Sequence, residues 1–408
     1  AGSGEIRGIP VQMMRDDSVS ELNLQERNIS VEGGMLLAYL VPVMGALTRV
    51  DIRRNSISGD GAAQLSAAVL GNLKIEMFNE IPIKEMRADS FTELDLNRKG
   101  VGVAGGMVVA GLIPVMGALT LTNLLGNQLD AKSAKMLAEV AKQKGISLCG
   151  IRRDQTTAVF FGKGLQPPDA ILLASDLSQA VVTGGLTKLS LAKNKLGEEG
   201  TKFLCDALVG NNTLKELDLS GDSSFRGTGS NIGGTAGAKH VANMLLVNGA
   251  LTSVDLRGNQ LGDEGWGAIF AAICGNKDSK IMCLDASSET IGPAGVKLIA
   301  EALRTSVTGA LTSVNLGGNE LGDKGWGAIF AAICGNKDSK IMSMDASSEN
   351  IGPAGVKLIA EALRTSVTGG LTSINMSNNY LTHSGTDMTG IKELAAALGV
   401  NCSLTKIE

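Results

Sequence analysis

The chain has 408 residues, 44% of them apolar and 19% charged, with 37 basic against 41 acidic side chains and a net charge of -4. No basic patch stands out and aromatic content is 3%, which argues against a nucleic-acid partner and leaves little material for aromatic interface anchors. A globular chain of this length would divide into two or more domains, whereas in a repeat array the core grows linearly with every added repeat.

The array begins after an N-terminal extension or cap, residues 1–18. The pattern L-x-x-V-x-L-x-x-N-x-L then opens at Val19 and Leu47, weakly at Leu73, and again at Phe91 and Leu119. A weak copy near Ile146 is followed by a restart at Ala158, then by full copies at Leu186 and Leu214. From Leu251 the spacing is 30 residues through Ile281, Leu311 and Ile341 to Leu371, and a weak copy opens at Leu404. Behind each short alternating stretch comes a helical pattern such as that ending in Val296, Ile299 and Leu303. The period switches from 2 to 3.6, which predicts strand, turn and helix in every repeat. Strands joined by helical crossovers must run parallel.

Two duplications show how the array grew. Residues 249–308 return at 309–368 with seven differences, and residues 20–48 resemble 92–120. Of the seven, only Leu284/Met344 exchanges apolar residues of similar volume, the kind of swap a core tolerates. The other six, Asp255/Asn315, Arg257/Gly317, Gln260/Glu320, Glu264/Lys324, Cys283/Ser343 and Thr290/Asn350, are expected where water reaches. Residues 19–408 read as one solenoid, with cramped repeats near 73–91 and 146–185. A loop insertion occupies 220–237 and regular repeats occupy 251–370.

The stretches LDLRGNQLGDEGWGAI, LSLAKNKLGEEGTKFLCDAL and NNTLKELDLS resemble leucine-rich repeats of the ribonuclease-inhibitor subtype, and the Gly-rich, aromatic-poor style is similar to uncharacterised proteins of unicellular algae and protists. The resemblance implies an α/β horseshoe, with a parallel sheet on the concave face and helices on the convex face. It implies a protein-binding module or scaffold, and more remotely a GTPase-activating protein, because an activator of Ran shares the subtype. Fold likeness of this kind does not fix function.

Six scattered cysteines form no C-x-x-C pair or flanking cluster, which favours reduced thiols and an intracellular, cytoplasmic setting. Cys149, Cys205, Cys274 and Cys334 fall at apolar positions and read as buried. Val101–Leu121 is uncharged and long enough to span a bilayer, but its glycines, Pro114 and a related segment carrying Glu32 favour a packed helix over a membrane span. The two histidines, His240 and His383, lie far apart in the pattern. With no metal-ligand spacing or nucleophile pairing, no catalytic, metal or cofactor site can be assembled. Trp266 and Trp326 hold equivalent positions and are expected to pack between helices.

Alternate strand residues face the concave side. Their middle column is Asn23, Asp51, Asp95, Asn123, Asp218, Asp255, Asp285, Asn315, Asp345 and Asn375. It reads either as an acidic stripe for a basic partner or as the residue usual at this place in the subtype. Charged neighbours concentrate in the first half, so the candidate partner-binding set is Glu21, Arg49, Asp51, Arg53, Glu93, Asp95, Glu216, Asp218, Asp255 and Arg257. Phe225 and Arg226 in the insertion are candidate rim contacts. The chain stops at LTKIE with Leu404 and Ile407 on the core side. Strand pairing or end-on stacking there would make the protein a structural subunit of an assembly.

Overall fold

The computed structural model describes residues 5–6, 8–222, 229–307, 309–367 and 369–408. Its strands are β1 (Glu21–Asn23), β2 (Arg49–Asp51), β3 (Met77–Phe78), β4 (Ile81–Pro82), β5 (Glu93–Asp95), β6 (Leu121–Asn123) and β7 (Thr157–Val159). They continue as β8 (Lys188–Ser190), β9 (Glu216–Asp218), β10 (Ser253–Asp255), β11 (Cys283–Asp285), β12 (Ser313–Asn315), β13 (Ser343–Asp345), β14 (Ser373–Asn375) and β15 (Lys406–Ile407). Packing divides the chain into two compact units. Unit 1 runs to Gln155 and includes Gly164–Gly185; unit 2 comprises Thr156–Lys163 and Leu186–Glu408.

Unit 1 holds the sheets β1-β2-β3-β4 and β5-β6; unit 2 holds β7 to β10 and β11 to β15. All these pairings are parallel except β3 with β4. In the duplicated region the strands stack in straight columns, with Cys283, Ser313, Ser343 and Ser373 in one and Asp285, Asn315, Asp345 and Asn375 in another. The central residue of each three-residue strand points inward, as Val254, Val314 and Ile374 do. The following helix closes the core. Pro293–Arg304 starts with proline, whose fixed φ suits the first turn, and buries Val296, Ile299, Ala302 and Leu303. Leu284 and Met344 are both buried, and so are Trp266 and Trp326. The six other differences are exposed or half-buried with one exception. Gly317 is buried because Ser347 leans over it; a Cβ there would stand 2.9 Å from the Ser347 hydroxyl.

Asparagines behind the sheet tie each repeat to the one before. Asn259 donates to Leu219 O and Leu256 O and accepts from the amides of Asn231 and Ile232. Asn319 repeats this with Ala286, Leu316, Glu289 and Ile291. At the intervening repeats the ladder position holds Glu289 and Glu349, both buried. Glu349 accepts from the amides of Asn319 and Leu321 and from Trp326 Nε1 at 3.1 Å. Glu289 accepts from Gly258 N at 2.6 Å. It faces Trp266 closely enough for the indole to help hold its charge, but the Trp266 N–H makes no formed bond. Burial raises the pKa of both glutamates.

The cramped repeats have different local causes. Leu73 is 80% exposed, so the core position that the pattern gave it belongs to Ile75, followed by Phe78. Asn79 and Glu80, both with left-handed φ (49° and 65°), then turn the chain back into β4. A five-residue helix, Ile83–Arg87, completes the repeat, which accounts for its short span. Near Ile146 only isolated bridges form, Leu121 with Ser147 and Asn123 with Cys149. Asp176 secures that stretch, accepting from Leu148 N (2.8 Å), Ser147 Oγ (2.7 Å) and Cys149 N (3.1 Å). The described ends of the 220–237 insertion meet at an Asp222–Gly229 bridge, after which Asn231 resumes the ladder by donating to Leu191 O and Leu219 O.

Close helix contact needs glycine at Gly61, where a Cβ would stand 2.2 Å from Val31 O. Backbone cannot swing aside as a side-chain tip can. Gly61→Ala is therefore expected to lower stability by about 2–3 kcal/mol despite alanine's better helix propensity, read as the urea midpoint. An unchanged or raised midpoint would contradict this packing. Among the described residues no helix is long and apolar enough to cross a membrane. The apolar stretch Val101–Leu121 folds instead as the largely buried helix Gly102–Leu112, a 3-10 turn Ile113–Val115, and the start of β6.

Candidate partner-binding sheet faces

The Asp/Asn column has a local structural task. All ten members accept at Oδ1 from the backbone amide two residues on, at 2.9–3.3 Å. Each thereby closes the turn that ends its strand. Asparagine does this at four positions and aspartate at six, so the carbonyl-type oxygen matters to the turn and the charge does not. Asp218→Asn should leave the urea midpoint within about 0.5 kcal/mol of wild type, because the serine hydroxyls beside it can turn to accept, whereas alanine there should cost about 1 kcal/mol. Equal losses for Asn and Ala would contradict the turn-closing role.

Most of the charges expected as a stripe neutralise one another. In unit 1, Arg53 meets Asp51 at 2.7 Å and Glu80 at 3.1 Å, and Arg49 approaches Glu80 at 3.9 Å. Partial burial pushes the Asp51 carboxyl up, but bonds from Arg53 and Gln25 outweigh it and hold the group below the usual carboxylate range. Arg152 reaches back to Glu93 at 2.8 Å. Glu21 and Asp95 are exposed on their strands. In unit 2, Lys188 pairs with Glu216 on the next strand at 2.8 Å. Arg257 grips Asp255 at 2.8 Å and reaches Asp285 at 3.1 Å, joining β10 to β11. Exposed pairs of this kind contribute about 0–1 kcal/mol each. Asp218 accepts from Ser190 Oγ and Ser220 Oγ, both at 2.8 Å; it forms no ion pair within 4 Å among the described residues, although the Arg257 guanidinium attracts it from farther off.

Two apolar side chains break this polar face, and the sequence reading missed both. Val159, in the column otherwise held by Asp, Asn or Ser, is 60% exposed, and Phe161 just beyond it is 51% exposed. Lys193 Nζ lies 5.6 Å from the Phe161 ring centre. Beside them is a depression of ≈ 280 Å³ lined by Thr157, Val159, Lys188, Ser190, Asp218 and Asp255, among others. The signal was present, since Val159 and Phe161 are bulky where the other full repeats, Leu125 excepted, are polar or small, but the irregular spacing around Ala158 hid their column. A second depression, ≈ 240 Å³, lies in unit 1 against Glu93, Leu121, Arg152 and Val182.

The remaining sequence candidates do not join these places. Phe225 and Arg226 lie outside the described residues. Leu404 is half-buried, and Ile407, on β15 beside β14, is 38% exposed. His240 stands 3.6 Å from Glu198, while His383 sits in the loop beyond β14. Among the described residues no three His, Cys, Asp or Glu side chains gather as a metal site would need.

Parallel strands in columns, an asparagine ladder behind them and a helix after each full strand define the α/β leucine-rich repeat solenoid class. Consistently, residues 250–270 and 311–330 match the leucine-rich repeat family model. No curated protein matches the chain. Among solved structures it is similar to an internalin from Listeria monocytogenes, at 14% identity over 96% of this chain and 87% of that one, with a TM-score of 0.37. It is also similar to the tropomodulin C-terminal domain of Caenorhabditis elegans, at 15% identity over 34% of this chain and 76% of that one, with a TM-score of 0.27.

Proposed function

We propose that the chain is a non-catalytic protein-binding module of the ribonuclease-inhibitor subtype, presenting an exposed sheet face to a protein partner. The 30-residue spacing and the full helix after each regular strand support the subtype. The observation that carries the function is the exposure of Val159 and Phe161 on a face most of whose charged groups pair with one another. A rigid frame with internally paired charges loses little conformational freedom on binding, and an apolar pair beside it supplies area to bury. Six unpaired thiols, four of them buried, fit an intracellular setting.

Affinity capture from the native cell, with partners quantified by mass spectrometry, tests the reading. The comparison sets Val159→Thr/Phe161→Ser against a control, Lys239→Ser, on the outer helix Gly234–Leu245. Loss of a partner with the sheet-face variant alone is the expected result. Partners retained equally by both variants would place binding elsewhere.

A further inference from the structure

The depression beside Val159 exists because β8 contributes a small residue, Ser190, between two larger neighbours, Val159 and Asp218, in register. Its apolar wall is Val159, with the exposed Phe161 just beyond the lining, and the opposite wall is the Asp218 carboxylate. Charge along this wall is unbalanced. Asp218 and Asp255 are register partners on adjacent strands, about 4.8 Å apart as parallel strands stand, and Asp285 follows on β11. Like charges so placed repel. Among the described residues one guanidinium serves them, Arg257, which is bonded to Asp255 and Asp285; Lys188 is engaged by Glu216 and Lys193 by Asp222. Among these residues five carboxylates (Glu216, Asp218, Asp222, Asp255 and Asp285) against three cations leave a charge of -2.

Resting on the sheet-face reading above, we propose that this notch seats one arginine side chain of the protein partner. The guanidinium would meet Asp218, and the methylene stem would lie along Val159 with its far end toward the edge of Phe161. Arginine fits better than lysine because its planar head is more weakly hydrated and its N–H groups meet a carboxylate two at a time. The Lys193 ammonium, 5.6 Å from the Phe161 ring centre and paired with Asp222 at 3.7 Å, takes the face of the ring, so the stem has only its edge.

A phage-displayed library of random nonapeptides, selected on the full-length chain, is the probe. Selection on wild type should enrich arginine at one position at least tenfold over input. That enrichment should vanish on Asp218→Asn, which keeps the turn-closing oxygen and the fold, and should fall severalfold on Phe161→Ser. Equal unfolding midpoints of wild type and Asp218→Asn confirm that the comparison concerns the site. No positional enrichment, enrichment of lysine or acidic residues, or an arginine signal that survives Asp218→Asn would overturn the proposal. The two readings fail separately: if Val159→Thr/Phe161→Ser loses the natural partner while Asp218→Asn keeps it, the face binds but the arginine seat is wrong.

Discussion

Asp176→Ala is expected to lower the unfolding free energy by about 2–6 kcal/mol, because it orphans two buried donors, Leu148 N and Ser147 Oγ, at about 1–3 kcal/mol each, and leaves Cys149 N only its bond to Ser147 Oγ at 3.2 Å. The Leu148 and Cys149 amides and the Ser147 hydroxyl all point to this one carboxylate, which replaces the ladder pairing that residues 146–151 lack. The urea midpoint followed by far-UV circular dichroism would read the loss, and amide exchange at Leu148 and Cys149 would place it. A midpoint within 1 kcal/mol of wild type would refute the role. Burial pushes the Asp176 pKa from 3.8 to about 6, against the pull of its hydrogen bonds. The folded chain therefore keeps a proton that the unfolded chain has released between those two values. Asp176's contribution to stability accordingly falls as pH rises through that window and is level above it. The fall has a ceiling of about 3 kcal/mol, at ~1.36 kcal/mol per tenfold difference in proton affinity. Subtracting the pH profile of Asp176→Asn from that of wild type isolates this slope from the many other carboxylates.

The second large effect is expected at Glu349. Alanine there removes the acceptor of Asn319 N, Leu321 N and Trp326 Nε1 and leaves a cavity beside a fully buried indole. The expected cost is about 3–5 kcal/mol, with a shift in tryptophan emission because both tryptophans lie in this duplicated region. Glu289→Ala should cost less, about 1–3 kcal/mol, since Glu289 holds a bond from Gly258 N and only a loose approach from Trp266. The near-identical surroundings make the pair a controlled comparison, and equal losses would refute the difference in bonding.

Much of the fold was legible because repetition is redundant. Eleven places with one apolar spacing fix strand and helix order even where single residues mislead, and the Trp266/Trp326 and Leu284/Met344 pairs could be placed by symmetry. Register in the cramped repeat was lost because Leu73 and Ile75 are equally apolar, and only the turn through Asn79 and Glu80 decides which faces inward. The buried carboxylates Asp176, Glu289 and Glu349 looked like ordinary polar residues. Their donors sit in neighbouring repeats, about one repeat away along the chain, and nothing local to the acid announces them. The Asp/Asn column was visible, but its meaning was not: a stripe that recruits a partner and one that closes turns have the same spacing. The structure adds the turn-closing bond to the amide two residues on, and a lysine placed there would therefore confound folding with binding.

Photo-crosslinking in the native cell addresses the binding face most directly, with p-benzoylphenylalanine placed at the exposed Ser253 on the sheet face or at Lys239 on the outer helix. A discrete crosslinked species from Ser253, absent from Lys239 and suppressed by Phe161→Ser, is the predicted result. Crosslinks from Lys239 alone would contradict sheet-face binding and put the working surface on the helices.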